Sequence, residues 1–72
     1  MGLDLDNVFS YHPPVGSQKE RYVALRDGGK LLAQLVQDNT PPSREQSVAL
    51  TSIQQAVMWA NAAIAINEQE AV

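Results

Sequence analysis

"SREQSVALTSIQQAVMWANAAIAINE", residues 43–68, contains neither glycine nor proline, and its reading decides the fold. It opens on Ser43-Arg44-Glu45-Gln46, an S-x-x-Q capping-box start placed directly after Pro41-Pro42. Leu50, Ile53, Val57, Ala60 and Ile64 then recur at three- and four-residue spacing, the period of one helical face. Val48, Ala49, Ala56, Met58, Trp59, Ala62, Ala63, Ala65 and Ile66 surround that stripe, so this helix is apolar or small almost all round. A helix of that kind is covered on several sides.

Upstream, Asp38-Asn39-Thr40-Pro41-Pro42 stops an earlier helix. That helix starts at Ser17-Gln18-Lys19-Glu20, a second capping box, with the Ser17 hydroxyl expected to face the Glu20 amide. Tyr22, Leu25, Gly29, Leu32 and Val36 give its apolar face, widened by Leu31 and Leu35. The pattern predicts helices over about 17–37 and 43–69, a turn at 38–42 and an irregular N-terminal arm over 1–16. At 1.5 Å per residue the helices run roughly 30 and 40 Å, and the short turn makes them antiparallel neighbours. The fold class is all-α, a two-helix hairpin.

A chain of 72 residues is one domain. A single core of that size supplies only about 3–5 kcal/mol. Two helices leave half of each apolar face bare, and another copy is the available cover. We therefore expect a homo-oligomeric helical bundle, with Leu50, Ile53, Val57, Trp59, Ala60 and Ile64 in its core and Trp59 as the large anchor. For these residues, core and interface outweigh any ligand role.

Several function classes are disfavoured at once. There is no cysteine and only one histidine, so disulfides, thiolate chemistry and a structural zinc site have no basis, and no cofactor is expected. A net charge of −3 argues against DNA or bulk RNA as partner. No apolar run is long enough to span a membrane, and residues 1–6 lack the basic start of a signal peptide, so a cytoplasmic protein is expected. Asp4, Asp6, Glu68 and Glu70 lie near the ends and read as solvated charge.

An enzyme is disfavoured too. His12 stands in the arm with no serine or carboxylate placed beside it by a recognisable motif, and Gly28-Gly29 follows no strand, so it is no phosphate loop. Each of these glycines costs about 1 kcal/mol in a helix interior relative to alanine. They signal either close packing against Trp59 or a neighbouring helix, or backbone left open for a ligand between Arg26 and Lys30.

Binding has better support. Arg26 and Lys30 lie one turn apart, with Lys19 two turns before Arg26, forming a basic ridge that is a weak signal by itself, because such residues are usually just solvated. Arg44 sits in the first turn of the second helix beside Ser43 and Ser47, where free amides and the helix dipole favour an anion; a surface salt bridge is the alternative. In the arm, "NVFSYHPPVGSQKERY" (residues 7–22) gathers Phe9, Tyr11 and His12 around Pro13-Pro14. The prolines restrict His12 and themselves to extended backbone, so Tyr11 and His12 are displayed with little entropy left to lose. Aromatic faces take nucleobases by stacking. Phe9 is expected to fold back as a lid over the hairpin.

With these residues in view, the chain resembles the hairpin domain shared by phage anti-CBASS and anti-Thoeris sponge proteins. The likeness rests on "FSYHPPVGSQKERYVALRD" (residues 9–27) and "SREQSVALTSIQQAVMWANAAIAINE" (residues 43–68), and covers most of 8–68. It carries the Y-H-x-P arm, the E-R-Y-x-x-L and S-R-E-x-S-x-A helix starts and the A-x-x-W-A-N-A-A-I-A tail, in order. The resemblance implies a non-catalytic protein, in an infected or lysogenic bacterial host, that sequesters cyclic dinucleotide or cyclic trinucleotide messengers as a compact hexamer. The anti-Thoeris branch captures cyclic ADP-ribose isomers and usually carries an additional N-terminal β-rich part, for which this chain has no room, so the anti-CBASS type is favoured. Carried over by position, Tyr11 would stack on a base, His12 would bond a base edge or phosphate, and Arg26 would replace the family's phosphate-contacting lysine. Arg44, with Ser43 and Ser47, matches the second-helix start and serves either ligand or a subunit contact. A cyclic-nucleotide hydrolase using His12 as base, and a purely protein-binding helical module, are the rival readings.

Overall fold

The computed structural model describes residues 4–9 and 13–68. Three helices occur in the order α1 (Leu5–Val8), α2 (Gln18–Asn39) and α3 (Arg44–Asn67), with no strand among the described residues. The fold is a helical hairpin of α2 against α3. Contacts run antiparallel: Gln18 meets Glu68 near one end, and Gly29 meets Val57 further along.

Local chemistry accounts for the helix limits. The Ser43 side chain accepts from the Gln46 amide at 3.1 Å, which satisfies one orphan donor of the α3 start. Its reciprocal partner works differently from a capping box. The Gln46 side chain reaches past Ser43 to donate to the Thr40 carbonyl and hydroxyl oxygens, at 3.0 and 3.1 Å. It thereby staples the turn to α3, while the Ser43 hydroxyl donates to the Pro41 carbonyl. At the end of α2, the Asn39 and Thr40 side chains donate to the Leu35 and Val36 carbonyls, and the Val36 carbonyl is one of the four that the helix ladder leaves without an amide.

The start of α2 departs from the expected box. Ser17 makes no side-chain cap bond; its hydroxyl accepts from Arg21 Nε at 3.2 Å instead. Gln18 takes over the junction. Its Oε1 accepts from the Val15 amide at 3.1 Å and its Nε2 donates to the Glu68 carbonyl, which leaves Gln18 only 4% exposed. Gly16 turns the chain into α2 with φ +55°, a region open to glycine at little cost.

The arm is more structured than a random leader. Asp4 caps α1 by accepting from the Asn7 amide, and the Asn7 side chain donates to the Ile66 carbonyl at 3.1 Å, tying α1 to the end of α3. Asp4 and Glu68 are therefore not simply solvated charges; Glu68 forms a two-pronged ion pair with Arg21. Phe9 does not form a lid: it is 83% exposed. Tyr11, His12 and Glu70 lie outside the described residues.

Across the seam, Tyr22, Leu25, Gly29, Ala33 and Val36 on α2 are half-buried against Ala49, Leu50, Ile53, Val57, Ala60 and Ile64 on α3. Ala33, not Leu32, takes the fourth position, and Leu31, Leu32 and Leu35 stand 63%, 49% and 50% exposed. The contact stripe follows the closest approach of the two backbones, and that approach is set by Gly29. A methyl there would come within 2.5 Å of Val57 Cγ2. Val57, rather than Trp59, is thus the partner of this glycine, and Trp59 is 74% exposed.

Candidate functional site

Two clefts flank the middle of the seam on the Arg26 side, and Arg26 lines both. The first, of about 380 Å³, is bounded by Tyr22 and Arg26 on α2 and by Asn61, Ala62 and Ala65 on α3. The second, of about 270 Å³, runs beside Arg26, Gly29, Lys30 and Ala33, with Leu50, Gln54 and Met58 opposite. Arg26 and Lys30 are exposed. Among the described residues the salt bridge of this chain is Arg21–Glu68, so neither cation is neutralised by an acid. Exposed and unpaired cations one turn apart can hold a phosphate, and arginine can do so with two parallel bonds.

The Arg44 group is elsewhere. Arg44, Ser47, Val48, Thr51, Ser52 and Gln55 border a separate depression of about 360 Å³ on the outer surface of α3. Ser43 is engaged as the α3 cap. Within one chain the expected ligand residues therefore divide into an Arg26–Lys30 group and an Arg44–Ser47 group. Of the expected oligomer core, Leu50, Ile53, Val57, Ala60 and Ile64 line the intrachain seam, and Trp59 alone of the six is exposed.

On the other face, Ala24, Leu25, Gly28, Gly29 and Leu32 with Ile53, Ala56, Val57 and Ala60 form an almost wholly apolar groove of about 520 Å³. A polar ligand gains little there. The charged groups near the α1 end are occupied with each other: the Arg21 guanidinium beside it lowers the Glu68 carboxyl from its ordinary value, and the same bond raises Arg21. Among the described residues no cluster of histidine and carboxylate side chains is arranged to hold a metal ion, and no helix is long and apolar enough to cross a membrane.

The model of one protein family, the Acb2/Tad1 hairpin domain, matches residues 1–65. The chain belongs to that family. The match spans α2, all but the last two residues of α3 and the arm before them, so Arg26, Lys30, Arg44 and Ser47 all fall within the Acb2/Tad1 domain. The family is one of anti-defence sponge proteins, whose work is binding. No curated protein and no solved structure matches the chain.

Two site features escape a reading of the sequence. Asn61 is half-buried at the seam, and its Oδ1 is buried without a hydrogen-bond partner. The signal was one amide inside an alanine and isoleucine run, one residue after Ala60 of the apolar stripe. Gln18 gave no such signal, because its partners are a backbone amide three residues earlier and a carbonyl fifty residues later.

Proposed function

We propose that this protein binds intact cyclic nucleotide second messengers, cyclic dinucleotides foremost and cyclic trinucleotides as a further class, and withholds them from bacterial CBASS effectors. The observation that carries the reading is the Acb2/Tad1 domain match over residues 1–65. The Arg26–Lys30 pair supports it, as an unpaired cationic edge beside two clefts of nucleotide-fragment size. In this reading Arg26 and Lys30 take phosphate, Tyr11 stacks on a base and His12 bonds its edge or a phosphate. Arg44 with Ser43 and Ser47 serves a second anion contact. No group in the proposal turns the nucleotide over, so capacity scales with protein present.

The working form is a homo-oligomer, a hexamer by resemblance. Its support is physical. Leu31, Leu32, Leu35, Val48, Met58 and Trp59 are all exposed, and Ile64 is the one buried hydrophobic residue among those described. A lone hairpin with that surface lacks a core. The location, on this reading, is the cytoplasm of the bacterium in which the messenger is made.

Calorimetry against cyclic di- and trinucleotides and cyclic ADP-ribose isomers, with native mass determination, tests the proposal. Stoichiometric binding and recovery of unchanged nucleotide after denaturation are expected. Absence of binding, or linear product beyond one equivalent, overturns it; preference for a cyclic ADP-ribose isomer moves the reading to Thoeris signalling.

A further inference from the structure

The cleft between Tyr22, Arg26, Asn61, Ala62 and Ala65 contains an unusual combination: an unpaired cation at its edge and, in its wall, a buried acceptor with nothing to accept from. An unsatisfied buried acceptor costs about 1–3 kcal/mol. Ala62 and Ala65, which line the same cleft, have short side chains, so the cleft stays open beside the amide. The Asn61 amide turns over a broad, shallow torsional well, which lets Oδ1 swing to the cleft when a donor arrives. An apolar residue would pack this seam position without that penalty, so stability does not explain the choice.

We infer that Asn61 is a specificity residue of the Arg26 site, accepting a hydrogen bond from the exocyclic amino group of a purine whose phosphate is held by Arg26. This rests on the nucleotide-binding reading above and adds the selection of base. Asparagine is suited to the task, because its amide presents an acceptor and a donor side by side, matching an amino group next to a ring nitrogen. Uncharged Asn61 also avoids the repulsion that a carboxylate would exert on the phosphate at Arg26. Loss of the amino group from the base returns Oδ1 to its unsatisfied state, so discrimination comes from both partners.

The test pairs a ligand change with a residue change. Cyclic di-AMP and its counterpart lacking both 6-amino groups, and cyclic di-GMP and cyclic di-IMP, are titrated into the wild-type oligomer and into Asn61→Leu. For the tighter-binding amino-bearing ligand, removing the amino groups is expected to weaken wild-type binding about tenfold. The same removal is expected to change Asn61→Leu binding less than about twofold, since the acceptor is already gone. Asn61→Ala, which also lacks the acceptor, carries the same expectation if the leucine variant does not assemble. Equal amino-group effects in wild type and variant overturn the assignment while leaving sequestration intact. So does equal wild-type affinity for amino-bearing and amino-free ligands alongside variants of altered oligomer mass, because a neighbouring copy then completes the acceptor. Failure of wild type to bind any of the four overturns both.

Discussion

Substituting Gly29 with alanine probes the closest approach in the hairpin. A Cβ built there meets Val57 Cγ2 at 2.5 Å, with Val57 Cβ and Ile53 Cγ2 at 3.9 Å. Two terms of opposite sign follow. Replacing a mid-helix glycine by alanine stabilises by about 1 kcal/mol, while forcing a methyl into a packed seam costs about 1–3 kcal/mol. Gly28 supplies the control, because its Cβ would meet nothing within 4 Å. The propensity gain is common to both sites and cancels in the comparison. Gly28→Ala should therefore melt above Gly29→Ala by an amount equivalent to about 1–3 kcal/mol, where each kcal/mol is worth about 4–8 °C in a domain of this size.

Thermal unfolding followed by far-ultraviolet circular dichroism, at one fixed protein concentration because an assembling chain has a concentration-dependent midpoint, measures the difference. The decisive arm is a double-mutant cycle with Val57→Ala, which removes the atom that the new methyl strikes. In that background Gly29→Ala should change from neutral or destabilising to stabilising, giving a coupling of about 1–3 kcal/mol. Strict additivity of Gly29→Ala and Val57→Ala would refute the claim that Gly29 sets the helix spacing.

Other perturbations test the remaining junctions. Ser43→Ala should lower stability by about 1 kcal/mol through loss of the α3 cap, whereas Ser17→Ala, which removes no cap bond, should stay within about 0.5 kcal/mol by chemical denaturation. Gln18→Leu leaves the Val15 amide and the Glu68 carbonyl without their shared partner, and should cost about 1–3 kcal/mol with faster amide exchange at Val15. Glu68 has a folded pKa below its unfolded value, so its contribution is present above the unfolded pKa and is lost as pH falls through the folded one; Glu68→Gln should remove that acid-side loss from a stability-versus-pH curve, and added salt should shrink it. Trp59→Ala should lower the native mass in analytical ultracentrifugation if copies pack on the exposed α3 face, and an unchanged mass would assign that face to something other than self-assembly.

The hairpin was legible because its signals are local. The proline pair, the Ser43 start and an uninterrupted run from 43 to 67 each act within a turn or two, and α3 forms where they predict. The junction near α1 was not legible, for the opposite reason. Ser17 and Glu20 satisfy the pattern of a capping box, yet the Ser17 hydroxyl accepts from Arg21, and Gln18 adds to its local bond with Val15 a bond to the Glu68 carbonyl fifty residues away, which no local pattern contains. Of the candidate ligand residues, Arg26 and Lys30 share a cleft while Arg44 and Ser47 border another surface, an arrangement the sequence did not disclose. Periodicity specifies a face of one helix and says nothing about which faces of two helices meet.

The replacement of Leu32 by Ala33 in the seam has a further meaning. A hairpin that folded for its own sake would turn its largest apolar residues inward. Here α2 places Gly29 and Ala33 at its closest approach to α3, with Tyr22, Leu25 and Val36 along the same seam, and leaves Leu31, Leu32 and Leu35 exposed; α3 buries Ile64 and half-buries Leu50, Ile53 and Val57 but leaves Val48, Met58 and Trp59 exposed. Gly29 lets the two backbones come close, and the exposed large residues leave the pair with apolar flanks. At about 25 cal/mol per Å² of apolar area buried, those flanks contribute only when something covers them. The distribution therefore supports assembly as the main source of stability, with the seam setting the shape of each unit. It also bears on the proposed ligand site. If copies cover the flanks and complete the proposed nucleotide site at the cleft bordered by Tyr22, Arg26 and Asn61, weakening the assembly and weakening nucleotide binding should go together. Dilution of the wild-type protein below its assembly range is the measurement: affinity per chain should fall with oligomer mass, and affinity that holds in the dissociated chain would place the whole site within one hairpin.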